Sequence, residues 1–412
     1  MNILFVSDNI FNPILGGIER VTDILAKELR KTGHHIFYLC DVIHDNSLTD
    51  YQFPADLMVL PEEGSYDNIN NISFYRSIIK DLSIDIVVNQ RGWAPYFNNA
   101  IDGEVAVINV VHTTPNGLVQ YNMNRLLNHE RTIYGRMKYF CKVLLYPIYM
   151  STKGLQFFLG LYRHYLFLST KSNAIIFLSE KYVQSFNRFF SFGSSKCYIG
   201  SIPNPTPRHT GPNQYAKEKI VLFVGRLTWS EKRPDRLVRI WERIFEHNPE
   251  WTLIFVGDGE ERLRLEQYVL RKRLRQIKFV GAVKDVSVYY RKASCICLTS
   301  NFEGWGMCLI EGMSYGCVPI AFNSFKSASD IIDDRVNGAL VRPFSIKEYA
   351  KRLDEIMNNQ NLREEFAVRS ITKAKSFTPE SVVEKWEQLF SMVIKGPIEA
   401  SAETFKKNRI NF

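Results

Sequence analysis

Two halves of this chain repeat one local pattern, in which a short apolar strand runs into a glycine turn and then into an amphipathic helix. In the first half, the apolar residues 3–6 precede Gly16 and Gly17, and a helix-period pattern follows. In the second half, residues 220–224 run into Gly225. A strand, a glycine turn, a helix and a further strand form a βαβ unit, which belongs to a parallel sheet. The pattern therefore predicts an α/β chain with doubly wound, Rossmann-like sheets.

The most informative stretch is residues 300–311, which follow the apolar run 295–298. The stretch passes through Gly304 and Gly306, and an apolar run typical of a helix begins near Met307. Glycines let a backbone approach a ligand closely, and the N–H groups at the beginning of a helix attract an anion. This order of strand, glycine turn and helix therefore predicts a site for an anionic ligand.

Two glutamates, Glu303 and Glu311, flank this turn. Fully helical spacing would place them about 12 Å apart, because each helical residue rises about 1.5 Å. That separation exceeds the roughly 5 Å of a retaining hydrolase pair. It suits two ends of one extended ligand, such as a sugar at one end and a ribose at the other. As an isolated pair, they would be better explained as a loop carboxylate and a solvated helix residue.

A second candidate site follows the strand at 220–224. Gly225 and Arg226 end this strand, and Lys232 comes six residues after Arg226, before a further predicted helix. Two cations near the beginning of a helix can hold a pyrophosphate. A solvated basic loop is the alternative explanation of the same residues. In the first half, His112 follows a strand and is expected to face the crevice of the sheet. A hydrogen-bonded loop histidine is the alternative.

The glutamates Glu303 and Glu311, separated by seven residues and with Gly-Trp-Gly after the first, resemble the signature of retaining glycosyltransferases of family 4, which have the GT-B fold. The loop at residues 16–20 (GGIER) is similar to a family loop that lines the donor and acceptor cleft. A tight turn explains its two glycines as well as phosphate binding does. The segment 225–232 is also similar to the family. The resemblance extends over nearly the whole chain and is weakest over residues 118–173.

The resemblance implies transfer of a sugar from a nucleoside diphosphate sugar, of UDP or GDP type, to a hydroxyl group of a glycan or lipid-linked acceptor, with retained anomeric configuration. It places the chain among bacterial enzymes of cell-surface polysaccharide or lipopolysaccharide synthesis. Glu303 and His112 would contact the donor sugar, and Arg226 and Lys232 would neutralise the diphosphate. Glu311 would bind the ribose. The further donor-binding residues would be Gly16, Gly17, Gly225, Val283, Gly304, Trp305, Gly306 and Met307.

The length of 412 residues is enough for two domains. Prolines and polar residues after residue 205 predict a linker between them. The predicted order is an acceptor-side Rossmann-like domain, a linker, a nucleotide-sugar-binding Rossmann-like domain, a helix that crosses back to the first domain, and a tail. These parts are residues 1–205, 206–217, 218–378, 379–395 and 396–412.

Cysteine usage and the apolar runs predict a cytoplasmic location. The seven cysteines lie mostly among apolar residues and form no CxxC pair, which is typical of free thiols in a reducing compartment. No apolar run approaches the roughly 18–20 residues of a membrane span. Residues 1–6 are expected to be a first strand and not a signal peptide.

The net charge of +9 is concentrated in one segment. Residues 118–173 contain eight Lys or Arg and a single acid, Glu130, and therefore carry +7. Such a local excess indicates a surface patch and not a nucleic-acid-coating protein. Basic residues interleaved with aromatic residues fit an amphipathic element at the inner face of the cytoplasmic membrane. Helices that pack on the domain, with solvated lysines, fit the same pattern.

No Asp-x-Asp pair lies where a metal-dependent transferase would hold its cation, so we expect neither a metal nor a cofactor. Two alternatives to a transferase stay open. A nucleotide-sugar epimerase of the same fold would release free sugar and a new epimer. A non-catalytic nucleotide-sugar-binding protein would do neither, and the intact set of Glu303, Glu311, Arg226 and Lys232 argues against it.

Overall fold

The computed structural model describes residues 1–9, 11–13, 16–42, 51–62, 68–90, 103, 105–115, 156–190, 196–207 and 216–394. These residues form two parallel sheets with helices between their strands. Much of the basic aromatic segment 118–173, the middle of the predicted linker and the predicted tail lie outside the described residues.

Among the residues that the structure describes, the first sheet contains seven parallel strands. They are β1 (Asn2–Asn9), β2 (His35–Val42), β3 (Asp56–Val59), β4 (Ile86–Asn89), β5 (Ala106–Val111), β6 (Ala174–Phe177) and β7 (Tyr198–Ser201). Its helices are α1 (Gly17–Lys31), α2 (Ile69–Asp81), α3 (described part 156–171) and α4 (Glu180–Phe189). The spatial order of the strands is β3-β2-β1-β4-β5-β6-β7.

The second sheet contains six parallel strands. They are β8 (Glu218–Val224), β9 (Thr252–Val256), β10 (Ile277–Gly281), β11 (Ala293–Leu298), β12 (Val318–Phe322) and β13 (Ala339–Val341). Its helices are α5 (Pro234–Trp241), α6 (Arg262–Arg271), α7 (Ser287–Lys292), α8 (Met307–Ser314), α9 (Ala328–Ile331), α10 (Ile346–Asn358) and α11 (Gln360–Ala374), with 3₁₀ turns at Phe245–His247 and Lys375–Phe377. The spatial order is β10-β9-β8-β11-β12-β13.

The direction of strand addition reverses once in each sheet, between β1 and β4 and between β8 and β11. At such a switch point, the loops that follow the two neighbouring strands run in opposite directions. Open α/β sheets bind ligands in the crevice between these loops. The loop that precedes α1 and the residue Gln90 lie at the first switch point. The loops that begin at Gly225 and Thr299 lie at the second. The predicted fold class, two Rossmann-like α/β sheets, is confirmed.

The strand β3 was not predicted from the sequence. Its four residues are largely half-buried, and it pairs on one side only, with β2. An edge strand with one neighbour buries few side chains, so it lacks the continuous apolar run of the strands β4 to β6. The apolar pattern therefore identifies the interior strands and misses the edge.

The last described helix, α12 (Pro379–Ile394), joins the two halves of the chain. It packs against α1 of the first sheet. Its apolar residues Trp386 and Phe390 share one buried cluster with Leu25 and Leu29 of α1. The core is therefore continuous between the halves. Within the residues given above, no helix combines the length and the hydropathy needed to cross a membrane.

Candidate active site

The loop after β8 is shaped by close backbone contacts. Gly225 has a φ of +150°, and its N–H donates to the carbonyl of Val256 at 3.0 Å. Gly257 lies against this turn, and a Cβ atom there would overlap the carbonyl oxygen of Gly225. A side chain at position 257 would therefore push the loop that carries Arg226 and Lys232 away from the sheet, and one at position 225 would strain the backbone.

Lys232 and Glu303 form an ion pair at this switch point. The Nζ atom of Lys232 lies 2.6 Å from Oε1 of Glu303, and Ser300 Oγ donates to the same oxygen at 2.6 Å. The two charged side chains are only 20% and 12% exposed. Asn301 ties the two loops together, because its N–H donates to the Glu231 carbonyl at 2.7 Å. The structure therefore brings together two residues that lie 71 positions apart.

The surroundings of Lys232 keep its amine protonated. Burial by itself lowers the pKa of Lys232, but the Glu303 carboxylate raises it, and the net pKa lies above the ordinary lysine value. A charged ammonium group held by one carboxylate oxygen still has donors for a second anion. The pair can therefore accept a phosphate without losing Glu303.

Arg226 does not join this pair. Its side chain is 72% exposed, and its Nη2 atom lies 2.7 Å from Oε2 of Glu231. The two cations that the sequence grouped at one diphosphate thus have separate partners in this structure. Exposed ion pairs of this kind contribute little, about 0–1 kcal/mol, so Arg226 can leave Glu231 for a ligand at small cost.

The helix α8 begins at Met307, immediately after the glycine turn. Its N-cap, Gly306, has a φ of +95° and offers no side-chain oxygen to the first turn. The N–H groups of that turn are therefore suited to an anion. Trp305 is buried and contacts Phe377 edge-to-face at 5.4 Å. Its ring packs in the core, so only its backbone is placed to meet a ligand.

Glu311 lies on the same helix, but its carboxylate is already engaged. Oε1 accepts from Arg20 Nη1 at 2.9 Å, and Oε2 accepts from the Tyr290 hydroxyl at 2.8 Å. The side chain is 6% exposed. The Glu311 carboxylate raises the pKa of Arg20, whereas burial raises that of Tyr290. Arg20 belongs to the first sheet, so this ion pair crosses between the halves.

A cleft of about 590 Å³ lies beside Glu311 and has Val283 in its wall. Arg20 and Tyr290 also line it, together with residues of α1. The predicted ribose-binding residue Glu311 and the predicted donor-binding residue Val283 therefore line one cavity between the two halves of the chain. Lys232 and Glu303 are not among the residues that line it.

The predicted glycine loop of the first half begins α1. Gly16 is the N-cap residue with an extended backbone, and the Glu19 carboxylate lies where a Cβ atom of Gly16 would be. Gly17 is exposed and has open space beside it. The tight-turn explanation fits Gly16, because a side chain there would displace the Glu19 carboxylate. Nothing in the packing requires glycine at position 17.

His112 follows β5 and contacts both halves. Its Nε2 atom lies 2.5 Å from Oε1 of Gln90. A Cβ atom at Gly304 would overlap the backbone oxygen of His112, so the glutamate loop packs directly on this position. Burial lowers the pKa of His112 to about 4, and the imidazole is therefore neutral at neutral pH.

Four residues of this site were not predicted from the sequence. Arg20 could have been identified, because it lies in the same GGIER loop as the two glycines. Gln90 directly follows a predicted strand end and could have been found from the switch-point rule. Ser300 and Tyr290 have no local signal, because their roles depend on contacts with Glu303 and Glu311.

Two parallel sheets, each with one switch point, place this chain in the GT-B fold class of α/β proteins. The solved structure of Anabaena HepE in complex with UDP superposes with a TM-score of 0.71 at 17% identity, over 95% of this chain and 100% of that one. Residues 208–372 of this chain match the family model described as "Glycosyl transferases group 1".

Two relatives with similar sequences carry related names. An uncharacterized glycosyltransferase of Haemophilus influenzae is 25% identical over 380 residues, which span 90% of this chain and 95% of that protein. The amylovoran biosynthesis glycosyltransferase AmsD of Erwinia amylovora is 33% identical over 207 residues, or 49% of this chain and 58% of AmsD. The chain thus matches little more than half of AmsD. Both of these relatives are named as glycosyltransferases.

The lowered pKa of His112 predicts an acid-sensitive site. An unfolded histidine titrates near pH 6.5, and the folded one near pH 4, so the unfolded state binds the extra proton first. The stability contributed by neutral His112 is complete above pH 6.5 and is lost as the pH falls towards 4, by at most about 3 kcal/mol.

Urea unfolding of the wild type and His112→Asn at pH 7.5 and pH 5 measures this loss. The wild type should lose more stability than the variant between the two pH values. Exposed His247 provides the matched control as His247→Asn, which should follow the wild type. Equal losses in the wild type and His112→Asn would contradict a buried neutral imidazole.

Proposed function

We propose that this chain is a retaining glycosyltransferase of family 4 type. It transfers a sugar from a nucleoside diphosphate sugar, of UDP or GDP type, to a hydroxyl group of a glycan or lipid-linked acceptor. The observation that carries the proposal is the ion pair of Lys232 and Glu303, held beside the uncapped beginning of α8 and against the first half at Gly304. This arrangement offers positive charge to a leaving group and a carboxylate to a sugar.

The donor is proposed to extend from the cleft at Glu311 to the pair at Lys232. Val283 and Glu311 would meet the base and the ribose, because both line the cleft of about 590 Å³. Each oxygen of Glu311 already accepts one hydrogen bond, so a ribose hydroxyl would share or replace the contact from Arg20 or Tyr290. Donor binding would therefore change the contacts of Glu311.

The leaving diphosphate gains negative charge as the sugar departs. Lys232 and the first N–H groups of α8 would stabilise that charge, and such preorganised electrostatic stabilisation accounts for much of the rate acceleration in many enzymes. Arg226 would add a second cation after leaving Glu231. We propose that these groups make a metal ion unnecessary. Glu303 and neutral His112 would bind hydroxyl groups of the donor sugar.

The experiment that tests the proposal is nucleotide release in the presence and absence of a cell-envelope glycolipid extract, with UDP-glucose, UDP-N-acetylglucosamine, UDP-galactose and GDP-mannose as donors. We expect one donor to give extract-dependent release, with its sugar recovered on the extract in the α configuration and with chelator present. Glu303→Gln should lower kcat at least about tenfold, because it removes the charge of the pair.

Other outcomes distinguish the alternatives. Free sugar with a new epimer, formed without extract, would indicate the epimerase. Binding of a donor with no release under any condition would indicate the binding protein. A product of inverted configuration would contradict retention, and loss of release in chelator would contradict metal independence.

The two cations should differ in their effect on donor binding. Lys232→Ala removes a buried charge-assisted contact and should weaken UDP binding by about 1.5–3 kcal/mol. Arg226→Ala removes an exposed side chain and should weaken it by about 1 kcal/mol or less. Lys272→Ala, which breaks the ion pair with Glu242 on the second sheet, is the matched control and should not change binding.

Isothermal titration with UDP measures these differences, and a thermal melt verifies that each variant is folded. If Lys232→Ala binds UDP as tightly as the wild type, the diphosphate is not at Lys232. A larger loss in Arg226→Ala than in Lys232→Ala would reverse the proposed order of the two cations.

We also propose that the first half contacts an anionic membrane, where a lipid-linked acceptor would be presented. Leu159, Arg163 and Leu166 of α3 lie three or four positions apart, so they share one face of the helix, and both leucines are exposed. This face belongs to the segment with the net charge of +7. Apolar side chains beside basic ones match the chemistry of an anionic bilayer surface.

Sedimentation with vesicles of phosphatidylglycerol and phosphatidylcholine tests this contact. The wild type should pellet at low salt and less at about 0.5 M salt, because the charge attraction is screened. Changing Leu159, Arg163 and Leu166 to Gln should reduce the pelleted fraction severalfold. The matched control changes the exposed Leu263 and Leu270 of α6 to Gln and should pellet like the wild type. A wild type that stays in the supernatant at low salt would favour a soluble acceptor.

A further inference from the structure

The loop that carries Glu303 is formed by both halves of the chain. Gly304 lies so close to the carbonyl of His112 that no side chain fits between them. The preceding carbonyl, that of Glu303, accepts a hydrogen bond from the Tyr182 hydroxyl at 2.7 Å. Tyr182 belongs to α4 of the first half, 121 positions away. Two successive residues of the second half therefore have backbone contacts with the first.

Tyr182 is well suited to hold this contact. The residue is fully buried in the first-half cluster with Tyr165, Phe177 and Phe186. Burial raises the pKa of Tyr182 to about 12, so its hydroxyl keeps its proton at neutral pH and can donate. Its ring is fixed by the first half, and its hydroxyl reaches the second.

A serine of the second half completes the support of this loop. Ser327 Oγ donates to the carbonyl of Gly304 at 2.9 Å, and it also lies 3.4 Å from the Tyr182 hydroxyl. The carbonyls of Glu303 and Gly304 are thus held by one donor from each half. Without the first half in place, Glu303 would keep the side-chain contacts to Lys232 and Ser300 but lose the backbone contact to Tyr182.

The side-chain contacts between the halves that lie beside Tyr182 are polar and partly exposed. Lys181 Nζ lies 3.0 Å from Oδ1 of Asp330, and Ser179 donates to the other oxygen of the same carboxylate. Ion pairs at such exposure contribute about 0–1 kcal/mol. The polar contacts here are therefore weak enough to break and re-form, and the contact at Tyr182 would break with them.

We propose that Tyr182 is a positioning residue for Glu303, whose backbone it fixes only when the two halves of the chain are closed on each other. The inference rests on the proposed transferase function for its catalytic consequence. In the open form, the backbone of Glu303 would be more mobile, because its carbonyl would lose the hydrogen bond from Tyr182. Closure would therefore fix the backbone of Glu303 in the sugar site.

Tyr182→Phe tests this role, because it removes the hydroxyl and keeps the ring. The variant should lower kcat about five- to tenfold, as expected for one lost hydrogen bond in the reacting state, and leave the KM for the donor within about twofold. Amide hydrogen exchange in peptides covering residues 299–306 should quicken by a similar factor. The kinetic constants are measured on the full chain with the donor that the release assay identifies. Hydrogen exchange is measured on the full chain with UDP present.

Tyr165→Phe is the matched control. Tyr165 is fully buried in the same cluster, and its hydroxyl donates to the carbonyl of Pro115 within the first half at 3.0 Å. A purely structural effect would appear in both variants as a similar loss of thermal stability. Of these two variants, the proposal requires that Tyr182→Phe alone changes kcat and the exchange of residues 299–306.

A second variant covers the case in which Tyr182→Phe does not fold. Asp330→Asn weakens the contacts to Lys181 and Ser179 without touching Tyr182, and it should quicken exchange of residues 299–306 and lower kcat. The proposal would be overturned if residues 299–306 exchanged at the wild-type rate in both Tyr182→Phe and Asp330→Asn. A higher KM of Tyr182→Phe for the donor, at unchanged kcat, would also overturn it.

The exchange measurement separates this inference from the proposed function. If the wild type releases no nucleotide with any donor, the transferase proposal fails. The exchange of residues 299–306 in Tyr182→Phe and Tyr165→Phe still decides whether Tyr182 fixes the backbone of Glu303. If release occurs but Tyr182→Phe matches the wild type in kcat and exchange, only the positioning role fails.

Discussion

The carboxyl edges of two parallel sheets meet at Gly304 and His112, and the arrangement of the candidate site depends on that contact. Strands of a parallel sheet deliver their following loops to one edge. One edge supplies Gln90 and His112, and the other supplies Lys232 and Glu303. Gly304 permits the close approach because it has no Cβ atom. Any side chain there would separate the two edges and open the site.

Charges at this boundary are paired before any ligand arrives. Lys232 is paired with Glu303, Arg226 with Glu231, and Arg20 with Glu311. The buried pairs avoid the high cost of an isolated charge away from water. A nucleotide sugar would therefore enter by exchanging partners, with its phosphates competing for the cations and its hydroxyls for the carboxylates.

Much of the fold was predictable from the apolar pattern. The strands β4, β5 and β11 read as continuous apolar runs because both faces of a parallel sheet are covered. Candidate residues near glycine turns were predictable as well, since φ values such as +150° at Gly225 and +95° at Gly306 favour glycine. The exposed side chain of Arg226 and the buried ring of Trp305 were not, because a sequence does not show which way a side chain points.

The sequence by itself determined the α/β class, the repeated strand–turn–helix pattern and the identity of the charged residues that follow the strands. These are local properties, set by the period of apolar residues and by the special conformations of glycine. Only the tertiary structure decided the partners: Lys232 with Glu303, Arg20 with Glu311, and Tyr182 with the backbone of Glu303. Those contacts join residues 71 to 291 positions apart. They form because the carboxyl ends of the strands in the two sheets face each other. No local pattern in either half encodes that packing.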